Sequence, residues 1–359
     1  PLHEQKPFGY GKRTKKDTEV DVCGMYLGGE YPQDPKRVLE TVYADFNRFL
    51  KVYQIGGSRF PVRLEKGKTE CFEAYKVMVS ANEIRIIAED TEGIRRGLIY
   101  LEDELRRREN AFLEPGETVR IPKIHARITR CFFSPINRPP KYGDELSDDI
   151  DYYPEEYLNR IMHDGANGVW IYTRFSDLLP SSVITENGKG YEKRIEKLNR
   201  VIAKCARYGI GVYVFAIEPI ALTPQQVKKY PQLAGSRFGS GEEPSATFCT
   251  NSPEGKAYCY EAGAKLMELA PGLAGYIDIT QGERITTCAS FPKACKCPRC
   301  KGKKPGYVLS DAVEAMRAGI RDRKPECKTV SWTYGARTWE FEDIRDYVKT
   351  APDDVMLMQ

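Results

Sequence analysis

The sequence lacks an apolar run long enough to span a bilayer. Its longest run, around Gly209 to Ile217, is far shorter than the roughly 18 to 20 residues that a transmembrane helix requires. It also lacks an excess of one charge, because 55 basic residues nearly balance 51 acidic ones and the net charge is +4. No basic cluster is longer than Lys12 to Lys16. These absences exclude a membrane-spanning protein and disfavour a nucleic-acid-binding one.

Several catalytic signatures are also missing. The three histidines are His3, His125 and His163, and none lies at the end of a predicted strand, where a Ser-His-Asp or Cys-His site would need one. The sequence contains no Gly-x-Ser-x-Gly elbow and no Walker loop, and no GxGxxG fingerprint follows the first predicted barrel strand. Hydrolysis by carboxylates is the catalytic class that remains, and we expect no organic cofactor.

The overall composition is that of a globular protein. Apolar residues make up 41% of the 359 residues and glycine adds 30 more, which is enough to build one or two domains with a core. The chain begins with Pro1, shows no signal peptide and ends at Gln359 within an apolar stretch. We therefore expect a fragment of a longer protein.

The first part of the chain predicts a small α/β domain. Residues 75–89 alternate apolar and polar side chains on both sides of Ala81 and Asn82, as a β-hairpin does. A helix is expected next, with Thr91 as its N-cap and apolar residues at helical spacing up to Leu105. The turn-rich segment 114–117 then marks a link. We place the boundary at residue 123, which predicts domains of residues 1–123 and 124–359.

The second part predicts alternating strands and helices. Strands are expected at 127–135, 168–173, 209–217, 274–280, 329–332 and 355–358, with helices between them. Such alternation indicates parallel strands covered by helices, in a (β/α)8 barrel or a doubly wound sheet. The missing glycine fingerprint favours the barrel. Six strands cannot close it, so we expect a barrel truncated after about six strands, with two more beyond Gln359.

Polar and aromatic residues collect just after the predicted strands, which also favours the barrel. In a (β/α)8 barrel the loops that follow the strands converge on one mouth, where active sites lie. The residues concerned are Asn137, Arg138, Arg174, Asp177, Glu218, Glu283, Tyr334 and Trp339.

Three carboxylates are candidates for acid–base catalysis. Glu283 follows the fourth barrel strand, and Glu218 ends the third. Strand alternation predicts that Asp278 points into the barrel and that Ile277 and Ile279 face the helices. A glycosidase needs two carboxyl groups about 5 to 9.5 Å apart. The alternatives are a surface pair of Glu283 with Arg284 and, favoured for Asp278, a buried ion pair with an arginine such as Arg130.

The three tryptophans lie in or just after predicted barrel strands, at Trp170, Trp332 and Trp339. Aromatic faces stack on the apolar faces of sugar rings, so this placement is typical of a carbohydrate pocket. Core packing is the alternative, and for Trp170 alone it is the preferred interpretation.

The cysteines divide into two groups. Seven of the eleven are scattered singly and are interpreted as buried free thiols, whereas Cys288, Cys295, Cys297 and Cys300 lie within thirteen residues. Four thiolates that include a CxxC turn predict a structural zinc site; a redox pair or unligated cysteines are the alternatives. Free thiols and a thiolate metal site slightly favour the reducing cytoplasm over secretion.

The chain resembles glycoside hydrolases of the family 20 type. Residues 75–108, including Glu92-Gly-Ile-Arg-Arg-Gly-Leu-Ile-Tyr-Leu-Glu102, are similar to the α/β domain that precedes the barrel in families 20, 67, 84 and 163. Arg130 and Arg138 keep the spacing of two arginines on the first barrel strand of family 20. The resemblance implies that Arg130 binds sugar hydroxyls.

Gly282-Glu283 matches the Asp-Glu pair of family 20, in which the Glu is the acid. The resemblance therefore implies that Glu283 is the acid, but glycine replaces the Asp that orients the acetamido group of the substrate. A Gly-Glu pair followed by a cysteine-rich segment is closer to family 163. The α-glucuronidases of family 67 share the layout, and Arg138, Arg174 and Arg337 are available for a uronic acid carboxylate.

The sequence thus predicts a glycoside hydrolase with carboxylate catalysis that acts on a hexosaminide-containing glycan. Its predicted substrate contacts are Arg130, Arg138, Arg174, Trp332, Tyr334 and Trp339. The alternatives are an α-glucuronidase-like hydrolase and a non-catalytic glycan-binding barrel with a structural zinc loop. The second catalytic carboxylate is Glu218 or Asp278, or lies beyond Gln359. The sequence indicates no oligomeric state.

Overall fold

The computed structural model describes residues 14–135, 143–240, 242–335 and 339–358. Three residues singled out from the sequence, Asn137, Arg138 and Arg337, lie outside the described residues. Within the described ranges, no helix combines the length and the apolar character that a membrane span requires.

The regular elements follow the predicted order. The helices are α1 (Glu40–Val52), α2 (Thr91–Arg108), α3 (Glu155–His163), α4 (Phe175–Leu178), α5 (Tyr191–Ala206), α6 (Pro224–Lys229), α7 (Pro253–Leu269), α8 (Pro305–Arg323) and α9 (Phe341–Thr350). The strands are β1 (Val20–Asp21), β2 (Met25–Leu27), β3 (Phe60–Lys66), β4 (Tyr75–Val79), β5 (Ile84–Ala88), β6 (Phe112–Leu113), β7 (Gly116–Arg120), β8 (Ile128–Arg130), β9 (Gly168–Tyr172), β10 (Gly211–Ala216), β11 (Ala234–Phe238), β12 (Ser245–Phe248), β13 (Gly275–Gln281), β14 (Lys328–Thr333) and β15 (Val355–Met358).

The chain forms two compact units. Unit 1 comprises the residues up to Ile128 together with Tyr153–Asn167 and Lys204–Ile210, and unit 2 comprises the rest. The boundary expected between residues 123 and 124 stays a prediction.

Unit 1 contains a five-stranded sheet in the order β2-β3-β5-β4-β7. The expected hairpin is present, since β4 and β5 pair antiparallel with Val77 opposite Ile86. Helix α2 follows, but its N-cap is Asp90 rather than the expected Thr91, because the Asp90 carboxylate accepts a hydrogen bond of 2.8 Å from the backbone N–H of Gly93. The apolar stripe of α2 is buried, as its spacing predicted.

Unit 2 is organised around a six-stranded sheet in the order β8-β9-β10-β13-β14-β15. These are the six strands predicted from the sequence, and the ladders from β9 to β15 are parallel. Successive strands are neighbours and alternate with helices, which is the topology of a (β/α)8 barrel wall. The predicted fold class is confirmed. An additional antiparallel hairpin, β11–β12, precedes α7.

The inner face of this sheet is the one that carries the aromatic rings of Phe215 and Trp332. The ring centroids of Phe215 on β10 and Trp332 on β14 are 6.2 Å apart, although β13 lies between these strands. Strands two positions apart in a flat sheet are separated by about 9.5 Å. The sheet therefore curls towards these aromatic rings. Helices cover the opposite face, where the Tyr347 hydroxyl of α9 donates a hydrogen bond to Ser331 of β14.

Candidate functional site

Aromatic side chains line the inner face of the curled sheet. The Phe215 ring lies 4.5 Å from that of Trp170 and 5.8 Å from that of Tyr172. On the other side, the ring of Tyr334 meets Trp332 edge-on at 5.1 Å. Tyr334 follows β14 directly and is 53% exposed. We call Trp170, Tyr172, Phe215, Trp332 and Tyr334 the aromatic face, and rings in this arrangement can stack on sugars.

Two of the predicted arginines accompany this face. The Arg130 guanidinium lies over the Trp170 ring, 5.4 Å from its centroid. Arg174 lies two residues after the end of β9 and lines a small cavity with Tyr172 and Asp177. A hydrogen bond with the Tyr172 side chain raises the pKa of Arg174. The Arg174 Nε atom is buried and has no hydrogen-bond partner among the described residues.

Glu283 lies at the carboxyl end of the sheet, in the loop that follows β13. It lies two residues beyond Gln281, the last residue of that strand, and is half-buried. Gln281 pairs with Thr333 on β14, so the loops that carry Glu283 and Tyr334 begin side by side.

Gly282 is conformationally constrained in this loop. Its φ is +109°, and a Cβ atom at this position would lie 2.3 Å from the backbone nitrogen of Gly335. Both observations require glycine. The residue before Glu283 therefore cannot be an aspartate without movement of the backbone.

Glu218 and Asp278 form a buried carboxyl pair. The backbone N–H of Glu218 donates a 2.8 Å hydrogen bond to Asp278 Oδ1. The Glu218 carboxylate in turn accepts from the backbone N–H groups of Phe175, at 2.9 Å, and Ile220, at 3.2 Å. The two side chains are only 4% and 6% exposed.

Burial dominates the protonation of this pair. It raises the pKa of Glu218 to about 7, although hydrogen bonds from the backbone of Phe175 and Ile220 oppose the shift. It also raises the pKa of Asp278 well above its ordinary value, and the neighbouring charge of Glu218 adds to the rise. Two adjacent carboxyl groups in a dry environment favour protonated forms.

The prediction that Asp278 points into the barrel is wrong. Asp278 and Glu218 both line a small cavity with Val313 and Met316 of α8, on the face that the helices cover, so neither shares the inner face with the aromatic rings. Ile277 instead pairs with Phe215 and so shares the inner face. The favoured ion pair with Arg130 is replaced by the hydrogen bond from Glu218. The side chains of β13 alternate as predicted, but the two faces are exchanged.

Trp339 does not join the aromatic face. It is 7% exposed, packs against Tyr347 and donates from its indole N–H to the carbonyl of Ala289, at 3.0 Å. It belongs to the buried cluster that surrounds the cysteines. Its predicted role as a substrate contact is therefore replaced by core packing.

Four cysteines converge in unit 2, but they differ from the predicted set by one member. The sulfur atoms of Cys249, Cys288, Cys297 and Cys300 all lie within 4.8 Å of one another, and all four residues are buried. Cys249 Sγ lies 3.6 Å from Cys297 Sγ and 3.8 Å from Cys300 Sγ. Tetrahedral coordination with Zn–S bonds of about 2.3 Å places sulfur atoms about 3.8 Å apart. We call these four residues the cysteine centre, and it could hold a metal ion.

Cys295 lies outside the cysteine centre, where its sulfur accepts a hydrogen bond of 3.3 Å from Ser236 Oγ. Cys249 takes its place because the hairpin β11–β12 brings the end of β12 to the cysteine-rich loop. Sequence spacing favoured Cys295, since it lies close to the other three cysteines in the chain. Only a long-range pairing could have indicated Cys249.

The fold is similar to that of several solved glycoside hydrolases. Structurally similar solved proteins include enzymes of glycoside hydrolase families 20, 84 and 138. The predicted similarity to the family 20-like superfamily is thus confirmed at the level of fold. No family model and no curated protein matches the sequence.

The individual similarities combine high coverage of this chain with low identity. A GH138 enzyme that targets pectin rhamnogalacturonan II aligns over 93% of this chain with a TM-score of 0.59 and 13% identity. The β-N-acetylhexosaminidase of Bacteroides fragilis aligns over 96% with a TM-score of 0.51 and 14% identity. A family 20 β-N-acetylglucosaminidase aligns over 96% with a TM-score of 0.52 and 12% identity. The chain spans 37%, 67% and 73% of these three proteins.

Proposed function

We propose that this chain carries part or all of the active site of a glycoside hydrolase, with Glu283 as the general acid. The observation that carries the proposal is the position of Glu283 directly after β13, in a loop that starts beside the one bearing Tyr334 of the aromatic face. A carboxylic acid at this end of a parallel barrel sheet can protonate a leaving-group oxygen. The aromatic face would hold the sugar.

The second carboxylate of the proposal is Glu218. Its pKa of about 7 suits a general base that accepts a proton from water near neutral pH. Glu218 lines the same small cavity as Asp278, among residues of α8, and it also lines a second small cavity with Asn187 and Ile220, from which a water molecule would have to reach it. Asp278 would act only through the hydrogen bond that it accepts from the Glu218 backbone N–H.

The proposed substrate is a hexosaminide-containing glycan, and the support for it is the fold that the chain shares with β-N-acetylhexosaminidases. Gly282 occupies the position where family 20 enzymes have the aspartate that orients the acetamido group, and Gly335 leaves no space for that side chain. We therefore expect the chain to use its own carboxylate rather than the acetamido group of the substrate.

A second candidate is an acidic sugar, as in an α-glucuronidase-like enzyme. It is favoured by the buried Arg174 Nε, which lacks a partner among the described residues and lies in a small cavity beside Tyr172. A guanidinium with a spare N–H suits a sugar carboxylate.

The test is hydrolysis of aryl α- and β-glycosides (hexosaminides, uronides and neutral hexosides) by the full-length source protein and its Glu283→Gln variant. We expect the variant to lose about a hundredfold to ten-thousandfold in kcat, the usual contribution of a general acid. Glu218→Gln should lose a comparable factor, whereas Glu254→Gln, at an exposed site in α7, is the matched control. Because an activated aryl leaving group needs little protonation, the decisive substrate is one with a poorly activated leaving group, and full activity of Glu283→Gln on it would remove Glu283 as the acid. Sugar binding without turnover by the wild type would instead support a glycan-binding barrel.

We also propose that the metal of the cysteine centre is a structural Zn²⁺, because four thiolates close its tetrahedral shell. Protein purified without chelator should contain about one equivalent of zinc. Cys249→Ser should lose it and Cys295→Ser should retain it, as measured by metal analysis. If Cys295→Ser loses zinc and Cys249→Ser retains it, the ligand set predicted from the sequence is restored. A zinc content below about half an equivalent in the wild type would argue against a zinc site.

A further inference from the structure

Three segments meet at the cysteine centre, and the one that carries Cys249 is distant in the chain from the other two. Cys249 follows β12, Cys288 follows the loop that carries Glu283, and Cys297 and Cys300 belong to the CxxC turn. All four thiols are free of disulfides. A metal ion bound to them would therefore cross-link these segments, whereas four thiols without metal would not.

The Glu283 loop, residues 282–287, is hydrogen-bonded to the strand that ends at the cysteine centre. The backbone N–H of Phe248, beside Cys249, donates to the carbonyl of Thr286 at 2.9 Å. The Thr286 hydroxyl donates to the carbonyl of Thr280 on β13, also at 2.9 Å. The loop that carries Glu283 is thus held by residues that are chain neighbours of two of the four sulfur ligands, Cys249 and Cys288.

The Glu218 loop, residues 217–222, is attached to the same strand. Leu222 and Ala246 of β12 exchange two backbone hydrogen bonds, of 2.8 and 3.1 Å. The N–H of Ala221 donates to the carbonyl of Ile285 at 3.1 Å. The two loops that carry the proposed acid and base are therefore joined both to each other and to the hairpin that supplies Cys249.

The turn that supplies the other ligands is held on the first strand of this hairpin. Ser236 Oγ accepts hydrogen bonds from the N–H groups of Lys296, at 2.8 Å, and Cys297, at 3.2 Å. Arg299 donates to the carbonyl of Ala234 at 2.9 Å and to Cys249 Sγ at 3.2 Å. This guanidinium offsets part of the net negative charge that four thiolates and one divalent cation would have.

We propose that metal binding at the cysteine centre positions the Glu218 and Glu283 loops, so that metal occupancy of the centre controls activity. The inference rests on the proposed function for its catalytic consequence only. The structural consequence, ordering of two particular loops by a metal bound beside their hydrogen-bonded partners, stands on the contacts of the described residues.

Hydrogen–deuterium exchange of the full chain tests the structural consequence. Zinc-loaded protein is compared with protein stripped by chelator under reducing conditions, and both are assayed for kcat and KM on any glycoside of the panel above that the wild type hydrolyses. We expect exchange in peptides covering residues 217–222 and 282–287 to quicken at least about tenfold without zinc. The β4–β5 hairpin of unit 1 should be unchanged, and kcat should fall more than KM rises.

Cys249→Ser should reproduce the stripped protein at any zinc concentration, and Cys295→Ser should behave as the wild type. Unchanged exchange in both loops after zinc removal would overturn the proposal. So would a uniform rise over all of unit 2, including β9 and β10, because that would assign the metal to global stability alone. If the wild type hydrolyses no glycoside, the proposed function fails while the exchange data still decide the inference.

Discussion

Burial alters the acid–base behaviour of single residues in both units. In unit 1, Glu102 of α2 is fully buried, and Arg106 donates to its Oε2 at 3.2 Å. Burial raises the pKa of Glu102 to about 8. Nearby, His163 Nε2 lies 2.5 Å from Asp45 Oδ2. Burial alone would lower the pKa of His163, but the hydrogen bond with Asp45 and the charge of Glu102 outweigh it and raise that pKa.

The raised pKa of Glu102 makes stability depend on pH. Because the folded state holds this proton more tightly than the unfolded state, its stabilising contribution is complete below about pH 4.5 and is lost as pH rises towards 8. Glu102→Gln cannot ionise and should escape the loss. We expect the free energy of unfolding of the variant to rise relative to that of the wild type between about pH 5 and pH 8, by on the order of 1 kcal/mol for each pH unit.

Denaturant unfolding at about pH 5, 6.5 and 8, across the range between the unfolded and folded pKa values, measures this gain. Glu117→Gln, at an exposed position of β7, is the control and should show no pH-dependent difference. A constant difference between Glu102→Gln and the wild type across this range would show that Glu102 titrates normally.

At the scale of elements, the carboxyl ends of neighbouring strands determine what the Glu283 loop can contain. The turn after β13 passes so close to the turn after β14 that Gly282 has Gly335 against it. This contact excludes side chains from position 282 and leaves Glu283 as the first side chain beyond the strand.

Gly282→Ala should therefore destabilise the protein more than positive φ alone explains. Gly302→Ala is the matched control, since Gly302 has a φ of +79° and no atom of the described residues lies within 4 Å of the place that a Cβ atom would take there. We expect a cost of about 1 to 2 kcal/mol at Gly302 from backbone strain. At Gly282, the clash should add about 1 to 3 kcal/mol. Chemical denaturation measures both, and equal costs would contradict the close contact with Gly335.

At the scale of the whole molecule, the two units differ in their intrinsic fluorescent probes of unfolding. All three tryptophans, Trp170, Trp332 and Trp339, lie in unit 2, as does the cysteine centre. Tryptophan fluorescence therefore follows unfolding of the unit that contains the proposed active site. Trp339 packs in the same buried cluster as the cysteines and should be the most sensitive of the three.

The stability of unit 2 should depend on free zinc. A ligand that binds only the folded state adds about 4 kcal/mol when present at about a thousand times its dissociation constant. We expect the fluorescence midpoint of denaturation to rise with buffered free zinc in the wild type and in Cys295→Ser. The midpoint of Cys249→Ser should not respond. A response of Cys249→Ser equal to that of the wild type would show that zinc acts elsewhere.

The sequence by itself determined the order of elements and the class of fold. The β4–β5 hairpin, helix α2 and the six strands of the parallel sheet were all predicted, because each depends on the side-chain pattern within a few consecutive residues. The same patterns located the strand ends, and so the positions of Glu283 and Tyr334 in the chain.

Only the tertiary structure decided which groups meet. Alternation on β13 separates Asp278 from Ile277, but the curl of the sheet and the helices packed on it decide which of them faces inward. Cys249 joins the cysteine centre through a hairpin, and Trp339 is drawn into the core beside it. These outcomes depend on contacts between residues far apart in the chain, and local patterns do not encode such contacts.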